Sequence, residues 1–266
     1  MKISVGQFSP TADVFENLET LDKLARQAAS EKADMIVFPE ESMLSLVQAG
    51  DDFADLVEKG WERFARQVGL IAASHGIAVV VGGYEPNENG KPYNTLLAVD
   101  AHGAELETYR KIHLYDAFTF KESNRISAGD PSQVATFKYG NLTFGMMTCY
   151  DVRFPELARN LALAGADVLL VPAAWYKGEN KIDHWQTLLK ARAVENTVWV
   201  VAAGTASNQT IGYSVILDPL AQPVAYLEDE PYGLVTGKVG RKKLKNVREY
   251  LPVLENRRLG VDAPKA

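Results

Sequence analysis

Apolar positions along this chain follow two rhythms. Nearly continuous apolar runs of strand length recur at KISVGQF (2–8), DMIVFP (34–39), IAVVVGGY (77–84), NLTFGMMT (141–148), ADVLLVP (166–172) and TVWVVAAG (197–204). Short runs rich in Val and Ile, bounded by Pro, Gly or polar residues, predict strands buried on both faces. Between them apolar residues recur every three or four positions. Leu18, Leu21, Leu24, Ala25 and Ala28 predict a helix over 17–30, and similar spacing predicts helices over 61–74, 156–164 and 184–195.

Two stretches break this alternation. PNENGKPY (86–93) is dense in turn formers and precedes NTLLAVD, AHG and AELETYR, which read as strand, turn, strand. Near the end YSVILDP, LAQPVAYL and GLVTGKV return to hairpin style, before a short helix over 242–249. Buried strands separated by helices predict sheets covered by helices, and hairpins predict antiparallel pairing. The expectation is a mixed α/β layered fold forming one domain over 1–266, without an internal linker or repeat. The tail from about residue 241 is expected to extend over that domain or over a dimer partner.

Composition narrows the function classes. Hydrophobic residues make up 47% of 266 and charged residues 23%, enough for a core that needs no staples. A single cysteine excludes an internal disulfide and a multi-thiolate metal site. No apolar run reaches membrane-spanning length and MKISVGQFSP lacks a signal-peptide core, so the expected location is the cytoplasm, with no membrane partner. Net charge is −6, and the one basic run, GRKKLK (240–245), has no interleaved aromatics. It reads as a solvated turn and helix start, and no nucleic-acid partner is expected. HExxH, paired Cys/His spacings and P-loop spacing are all missing, so no metal and no cofactor are expected.

The candidate chemistry centres on GMMTCYDVRFPEL (145–157), which holds the only cysteine, Cys149. Strand, cysteine, helix is a layout that exposes a nucleophile on a sharp turn and offers nearby backbone N–H groups to an oxyanion. A free cysteine is equally a common space-filler in cores, and local context leaves both readings open. Among four histidines, His75 and His102 sit in helix-end and turn contexts, and His184 in a capping or packing one. His113 is the one histidine candidate for a base. Glu40 in MIVFPEES and Lys111 in TYRKIHL stand, like Cys149, just beyond apolar strands.

FPE with Glu40, YRKIHL with Lys111 and CYDVRFPEL with Cys149, in this order and spacing, resemble the nitrilase superfamily of carbon–nitrogen hydrolases. The likeness extends from VGQFSP to LPVLENRRL. The resemblance implies a four-layer α-β-β-α sandwich with two mixed β-sheets. It implies Cys149 as nucleophile, Glu40 as general base and acid, and Lys111 with the Tyr150 backbone N–H as oxyanion donors. TFKES matches the segment of a second glutamate, Glu122, for which a structural salt bridge is the alternative. His113 then becomes a neighbour of Lys111 rather than the base.

The wider pattern, CYDVRFPELAR with HWQTLLKARAVEN and LPVLENRRL, is similar to Nit-type amidases that cleave α-keto ω-amides or deaminated glutathione, with a homodimer or higher homo-oligomer implied. Arg153 is a candidate contact for a substrate carboxylate or part of a charge network with Asp151 and Glu156. Trp175 and Tyr176 are candidate pocket walls or plain packing. YKGENKID (176–183) and GTASNQTIGYS (204–214) depart from the pattern and are expected to border the pocket. Nitrile hydrolysis, acyl transfer to an amine and a non-catalytic binding role are the competing readings.

Overall fold

The computed structural model describes residues 1–88 and 90–259. Its elements run β1 (Lys2–Phe8), α1 (Val14–Ser30), β2 (Met35–Val37), α2 (Leu46–Ala49), α3 (Phe53–His75), β3 (Ala78–Glu85), β4 (Tyr93–Val99) and β5 (Glu105–Arg110). A two-stranded ribbon follows, β6 (Asp116–Ala117) and β7 (Phe120–Lys121). Then come β8 (Thr136–Tyr139), β9 (Leu142–Met146), α4 (Pro155–Leu163), β10 (Val168–Ala173), α5 (Lys181–Asn196) and β11 (Trp199–Gly204). Last are β12 (Val215–Leu217), β13 (Pro223–Tyr226), β14 (Tyr232–Lys238) and α6 (Arg241–Tyr250).

Two six-stranded sheets result, ordered β14-β1-β2-β3-β4-β5 and β13-β12-β11-β10-β9-β8. Each has a parallel centre and antiparallel edges: β1, β2 and β3 pair parallel in the first, β9, β10 and β11 in the second. The period-2 alternation of the strands divides their side chains between two cores. Met35, Val37, Ala78 and Val80 face the second sheet and pack with Phe144, Leu170 and Val201. Ile36, Phe38, Val79 and Val81 face outward onto Leu21 and Leu24 of α1 and Phe64 and Val68 of α3. Leu157 and Leu161 of α4 and Trp185 and Leu189 of α5 cover the second sheet from its other side. This is the α-β-β-α sandwich.

Several elements differ from the sequence expectation. Helix α3 begins at Phe53, about two turns before residue 61, because Phe53 and Val57 continue the buried stripe of Phe64, Val68 and Ala72 across Gly60. Helix α5 begins at Lys181, so His184 lies inside it and exposed, with no capping role. Strand β14 forms no hairpin with β13; it crosses to the first sheet and pairs antiparallel with β1 from Lys2↔Lys238 to Phe8↔Tyr232. Strand β8 lies outside every run singled out in the sequence, being short and half polar. The basic run opens α6, whose Leu244 and Val247 are buried while Lys242 and Lys245 stay exposed. Arg248 of α6 donates to the Thr197 carbonyl at 3.1 Å, and Lys243 pairs with Asp218. Gly260 and everything after it lie outside the described residues.

Candidate active site

The site is assembled where strands of both sheets end. Beyond β2 the chain keeps pairing with β3: the Phe38 N–H donates to Val80 O at 2.8 Å and the Gly82 N–H to Pro39 O at 3.1 Å. This holds Glu40 against β3, and a Cβ at Gly82 would lie 2.1 Å from the Glu40 carbonyl oxygen. Only glycine permits that approach. Lys111 follows β5 directly, with its N–H donating to Asn94 O at 2.8 Å. Glu122 begins a 3-10 turn after the β6–β7 ribbon.

These three side chains meet in a buried cluster. Lys111 Nζ donates to Glu40 Oε1 at 2.9 Å and to Glu122 Oε2 and Oε1 at 2.9 and 3.1 Å, and Lys111 is only 2% exposed. Asn94 Nδ2 bridges the same carboxylates, donating at 2.7 Å to Glu40 and 3.2 Å to Glu122. The Ala174 N–H fixes the other Glu40 oxygen at 2.7 Å, and the Tyr115 N–H donates to Glu122 at 2.6 Å. Every carboxylate oxygen of the cluster therefore has a donor, which is what lets charges persist out of water.

Cys149 starts the turn Cys149–Arg153 between β9 and α4 with φ +47°, a left-handed conformation in a non-glycine residue. Such strain costs about 1–3 kcal/mol and persists only where neighbours over-determine the backbone. Asp151 is that neighbour. Fully buried, it accepts from the Thr148 N–H (2.8 Å), the Tyr109 hydroxyl (2.7 Å) and the His113 N–H (3.1 Å), and its Oδ1 lies 2.7 Å from His113 Nδ1. Tyr109 and His113 flank Lys111, so one carboxylate ties the cysteine turn to the lysine segment. His113 also stacks on Phe154 with ring centres 3.7 Å apart. It is a brace in this structure, not a partner of the thiol.

The electrostatics separate the groups. Burial alone would raise Glu40, but the Lys111 ammonium, with hydrogen bonds from Lys111, Ala174 and the Cys149 thiol, holds it below the usual carboxylate range. Burial, then the charge of Glu40, push the Cys149 thiol well up, against the opposing pull of Lys111. Burial opposes the charge on Lys111, yet Glu122 and Glu40 together raise it well above an ordinary lysine. At neutral pH the site thus holds a thiol facing a carboxylate that rests on a fixed ammonium. Next to it, burial and then the charge of Glu40 raise Glu41 to about 8.

Glu40, Lys111, Glu122, Cys149, Trp175 and Tyr176 all line one cavity of about 30 Å³, with Glu41, Ala174 and Lys181. Arg153 stands one layer outside that wall. Its guanidinium is 4.8 Å from the Trp175 ring and 5.9 Å from the Tyr150 ring, and its Nη2 is buried without a hydrogen-bond partner among the described residues. The Tyr150 ring packs edge-on against Tyr115, and its side chain is likewise outside the cavity wall. Sequence reasoning missed Asn94, Tyr115, Glu41 and Lys181. Asn94 carried one signal, a polar residue opening an apolar strand; Lys181 lies in the YKGENKID segment expected to border the pocket. Among the described residues no group of three or more His, Cys, Asp or Glu side chains is arranged to hold a metal ion, and no helix is long and apolar enough to cross a membrane.

A buried thiol set against a carboxylate and an ammonium, at the strand ends of an α-β-β-α sandwich, is the arrangement of a thiol-dependent hydrolase. The carbon–nitrogen hydrolase family model matches residues 2–249, and the chain belongs to that family. It is 37% identical over 263 residues to the deaminated glutathione amidase of Escherichia coli O157:H7, covering 97% of each chain. It is 34% identical over 234 residues to the 2-oxoglutaramate amidase of Bacillus subtilis, covering 85% of this chain and 86% of that one. Among solved structures it resembles an amidase from Nesterenkonia sp. AN1, with a TM-score of 0.84 and 27% identity over 97% of this chain and 94% of that one. In that structure the acetamide moiety of fluoroacetamide is covalently added at the active-site cysteine.

Proposed function

We propose that the protein hydrolyses the amide bond of small carboxylated amides through a thioester on Cys149. Glu40 takes the thiol proton as sulfur attacks the carbonyl carbon, since a thiol pushed up by its surroundings does not ionise in advance. The C–S bond forms, the C–N bond breaks, and Glu40 delivers its proton to the departing nitrogen. Water then attacks the thioester, giving its proton to Glu40; the C–S bond breaks, the acyl half leaves as a carboxylic acid, and Glu40 returns the proton to the Cys149 sulfur. Lys111 and the Tyr150 backbone N–H stabilise the tetrahedral oxyanion, each such donor contributing about 2.7–4 kcal/mol. Glu122 keeps Lys111 charged and oriented while Glu40 carries the proton. The observation that carries this reading is Lys111 Nζ, 2.9 Å from both Glu40 and Glu122 in the cavity that Cys149 lines.

Support for a carboxylate on the substrate comes from two cations that have no ion-pair partner among the described residues. Lys181 is 7% exposed and in the cavity wall; among the described residues its Nζ donates only to the Tyr115 hydroxyl, at 2.9 Å, and it lies over the Phe118 ring at 4.0 Å. Burial, then the charge of Arg153, lower its pKa, as two neighbouring cations do when no anion lies between them. Deaminated glutathione and 2-oxoglutaramate, for which the bacterial relatives are named, both carry such a carboxylate. A cytoplasmic location and a homodimer or higher homo-oligomer belong to the same reading, and sedimentation of the purified protein tests the oligomeric state.

The direct test offers deaminated glutathione, 2-oxoglutaramate, a simple aliphatic amide and a nitrile to the parent protein and to Cys149→Ala, with intact-mass detection of the acyl-enzyme. Amine or ammonia release that disappears in the variant, with the parent gaining the mass of the acyl group, is the expected result. Release that survives in Cys149→Ala overturns the mechanism, and preference for the nitrile overturns the substrate class.

A further inference from the structure

The Lys111 ammonium has three hydrogens to give and, at rest, three oxygens that receive them. Its Nζ donates to Glu40 Oε1 at 2.9 Å, to Glu122 Oε2 at 2.9 Å and to Glu122 Oε1 at 3.1 Å. So engaged, it has no hydrogen left for the oxyanion that the hydrolase reading assigns to it. One of the three bonds must be given up as the tetrahedral intermediate forms. A carboxylate oxygen left without a donor inside a buried cluster would raise the energy of that intermediate.

Asn94 is placed to prevent this. It lies in β4, opposite Tyr84 of β3, and its carbonyl accepts from the Lys111 N–H at 2.8 Å. Both hydrogens of its Nδ2 go to the carboxylates, at 2.7 Å to Glu40 Oε1 and 3.2 Å to Glu122 Oε1. Those are two of the three oxygens that Lys111 holds. The third, Glu122 Oε2, has the Tyr115 N–H as its second donor at 2.6 Å. Whichever bond the lysine releases, the oxygen it leaves keeps a donor. Two observations set Asn94 apart from ordinary packing. Its Oδ1 is buried with no hydrogen-bond partner among the described residues, which destabilises the fold. Turning the amide over would set that oxygen against two carboxylates, so the donors stay on the cluster while the acceptor goes unmet. Asn94 is also 1% exposed and does not line the cavity, so it acts through Lys111 and not on the substrate.

Resting on the hydrolase reading above, we propose that Asn94 is a positioning residue that frees Lys111 for the oxyanion. By holding Glu40 Oε1 and Glu122 Oε1 in the lysine's place, it lets one Nζ hydrogen turn to the substrate oxygen as the C–S bond forms. The bond to Glu122 Oε1, the longest of the three at 3.1 Å, is the one that yields. Asn94 transfers no proton, and the bonds made and broken in the substrate are those already given.

Two variants of nearly unchanged size test it. Asn94→Leu removes both donors; kcat for 2-oxoglutaramate is expected to fall about 10–100-fold, with KM within about threefold of the parent's. Two affinities then separate the oxyanion from the fold at large. 5-Oxopentanoate, an aldehyde of the same chain length, takes the Cys149 sulfur on its carbonyl carbon. The thiol proton passes to Glu40 and the oxygen is left as an oxyanion, so its affinity should fall by a similar factor. 2-Oxoglutaramate bound to Cys149→Ala forms no oxyanion, and its Kd should stay within about twofold when Asn94→Leu is added. Asn94→Asp keeps the shape and faces Glu40, Glu122 and Lys111. Its carboxyl, raised by burial and two neighbouring carboxylates, offers one hydrogen when protonated and none when ionised. The ratio of its kcat to the parent's should therefore rise as pH falls from about 8 to about 5.5. A kcat for Asn94→Leu within about twofold of the parent's overturns the proposal, and so do equal losses of the two affinities. Where Asn94→Leu does not fold, a ratio for Asn94→Asp that is flat or rises with pH overturns it. A parent that releases no ammonia and forms no adduct on Cys149 removes the hydrolase reading itself, whereas an active parent with unresponsive Asn94 variants removes only the role of Asn94.

Discussion

Replacing Lys111 with methionine removes the one cation of the buried cluster while keeping much of its apolar stem. Glu40 and Glu122 would then face each other across Asn94 Nδ2, which donates to them at 2.7 and 3.2 Å, with only neutral donors left. Breaking a buried ion pair from one side costs about 3–5 kcal/mol, a large part of the roughly 5–15 kcal/mol that holds a typical domain folded. The carboxyls can limit this loss by taking up a proton, and that makes the cost depend on pH in a definite direction. In the parent, Glu40 is held low, so it contributes stability above its unfolded pKa that is lost as pH falls through its folded value. In Lys111→Met, burial and the neighbouring carboxylate raise it instead; its contribution is then full below the unfolded pKa and lost as pH rises.

The gap between parent and variant must therefore widen with pH. Urea denaturation of both proteins at about pH 5, 6.5 and 8, read by far-UV circular dichroism and tryptophan fluorescence, measures it. The expected gap is about 3–5 kcal/mol at the alkaline end and clearly smaller at the acid end. A gap that stays constant across the range, or a variant as stable as the parent at pH 8, would refute the account of the cluster. Activity gives a second reading: kcat is expected to fall roughly 10²–10³-fold, the effect of losing one oxyanion donor.

Glu41→Gln keeps an acceptor for the Tyr84 hydroxyl, 3.3 Å away, but removes a carboxyl raised from near 4.5 to about 8. Glu41 favours the folded state most below its unfolded pKa and loses that effect as pH rises toward 8, so the variant should be more stable than the parent by on the order of 3 kcal/mol at pH 7, and by little at pH 4, in the same urea assay. Gly82→Ala sets a Cβ 2.1 Å from the Glu40 carbonyl oxygen and forces that backbone aside; a melting temperature several degrees lower and a kcat loss of roughly 10²-fold are expected. Asp151→Asn offers one acceptor oxygen to three groups that donate to the carboxylate, leaving at least one unsatisfied. It should cost about 1–3 kcal/mol by denaturation and lower kcat more than it raises KM, since it loosens Lys111 and Cys149 and not Trp175, Tyr176 or Lys181 of the cavity wall.

Much of this architecture was legible because the strands are buried on both faces. A run such as MIVF has to place Met35 and Val37 in one core and Ile36 and Phe38 in another, and no polar residue interrupts it. Boundaries were less legible where a side chain is missing or a partner is distant. Gly60 hid the first turns of α3, and nothing local in GLVTGKV distinguishes a strand that returns to β13 from one that crosses to β1. The partner 230 or so residues away decides that, through burial that only the folded chain has.

The same distinction divides the cluster. Glu40 and Cys149 each follow an apolar strand and Lys111 follows the half-polar hairpin strand β5, so each is marked by the place where a strand ends in a group able to do chemistry. Asn94, Glu41, Asp151 and Lys181 carry no such mark: beside the runs they look like strand, loop, turn and helix-start residues, and their roles arise from what approaches them across the sandwich. Asp151 shows why. Its acceptors are used by Thr148, three residues away, and by Tyr109 and His113, about forty residues earlier. The groups proposed to react therefore sit at strand ends that local pattern can specify, while the contacts that hold them in register across two sheets are long-range. Substitutions in the second set should consequently separate folding from chemistry less cleanly than Cys149→Ala, because each of those residues serves both.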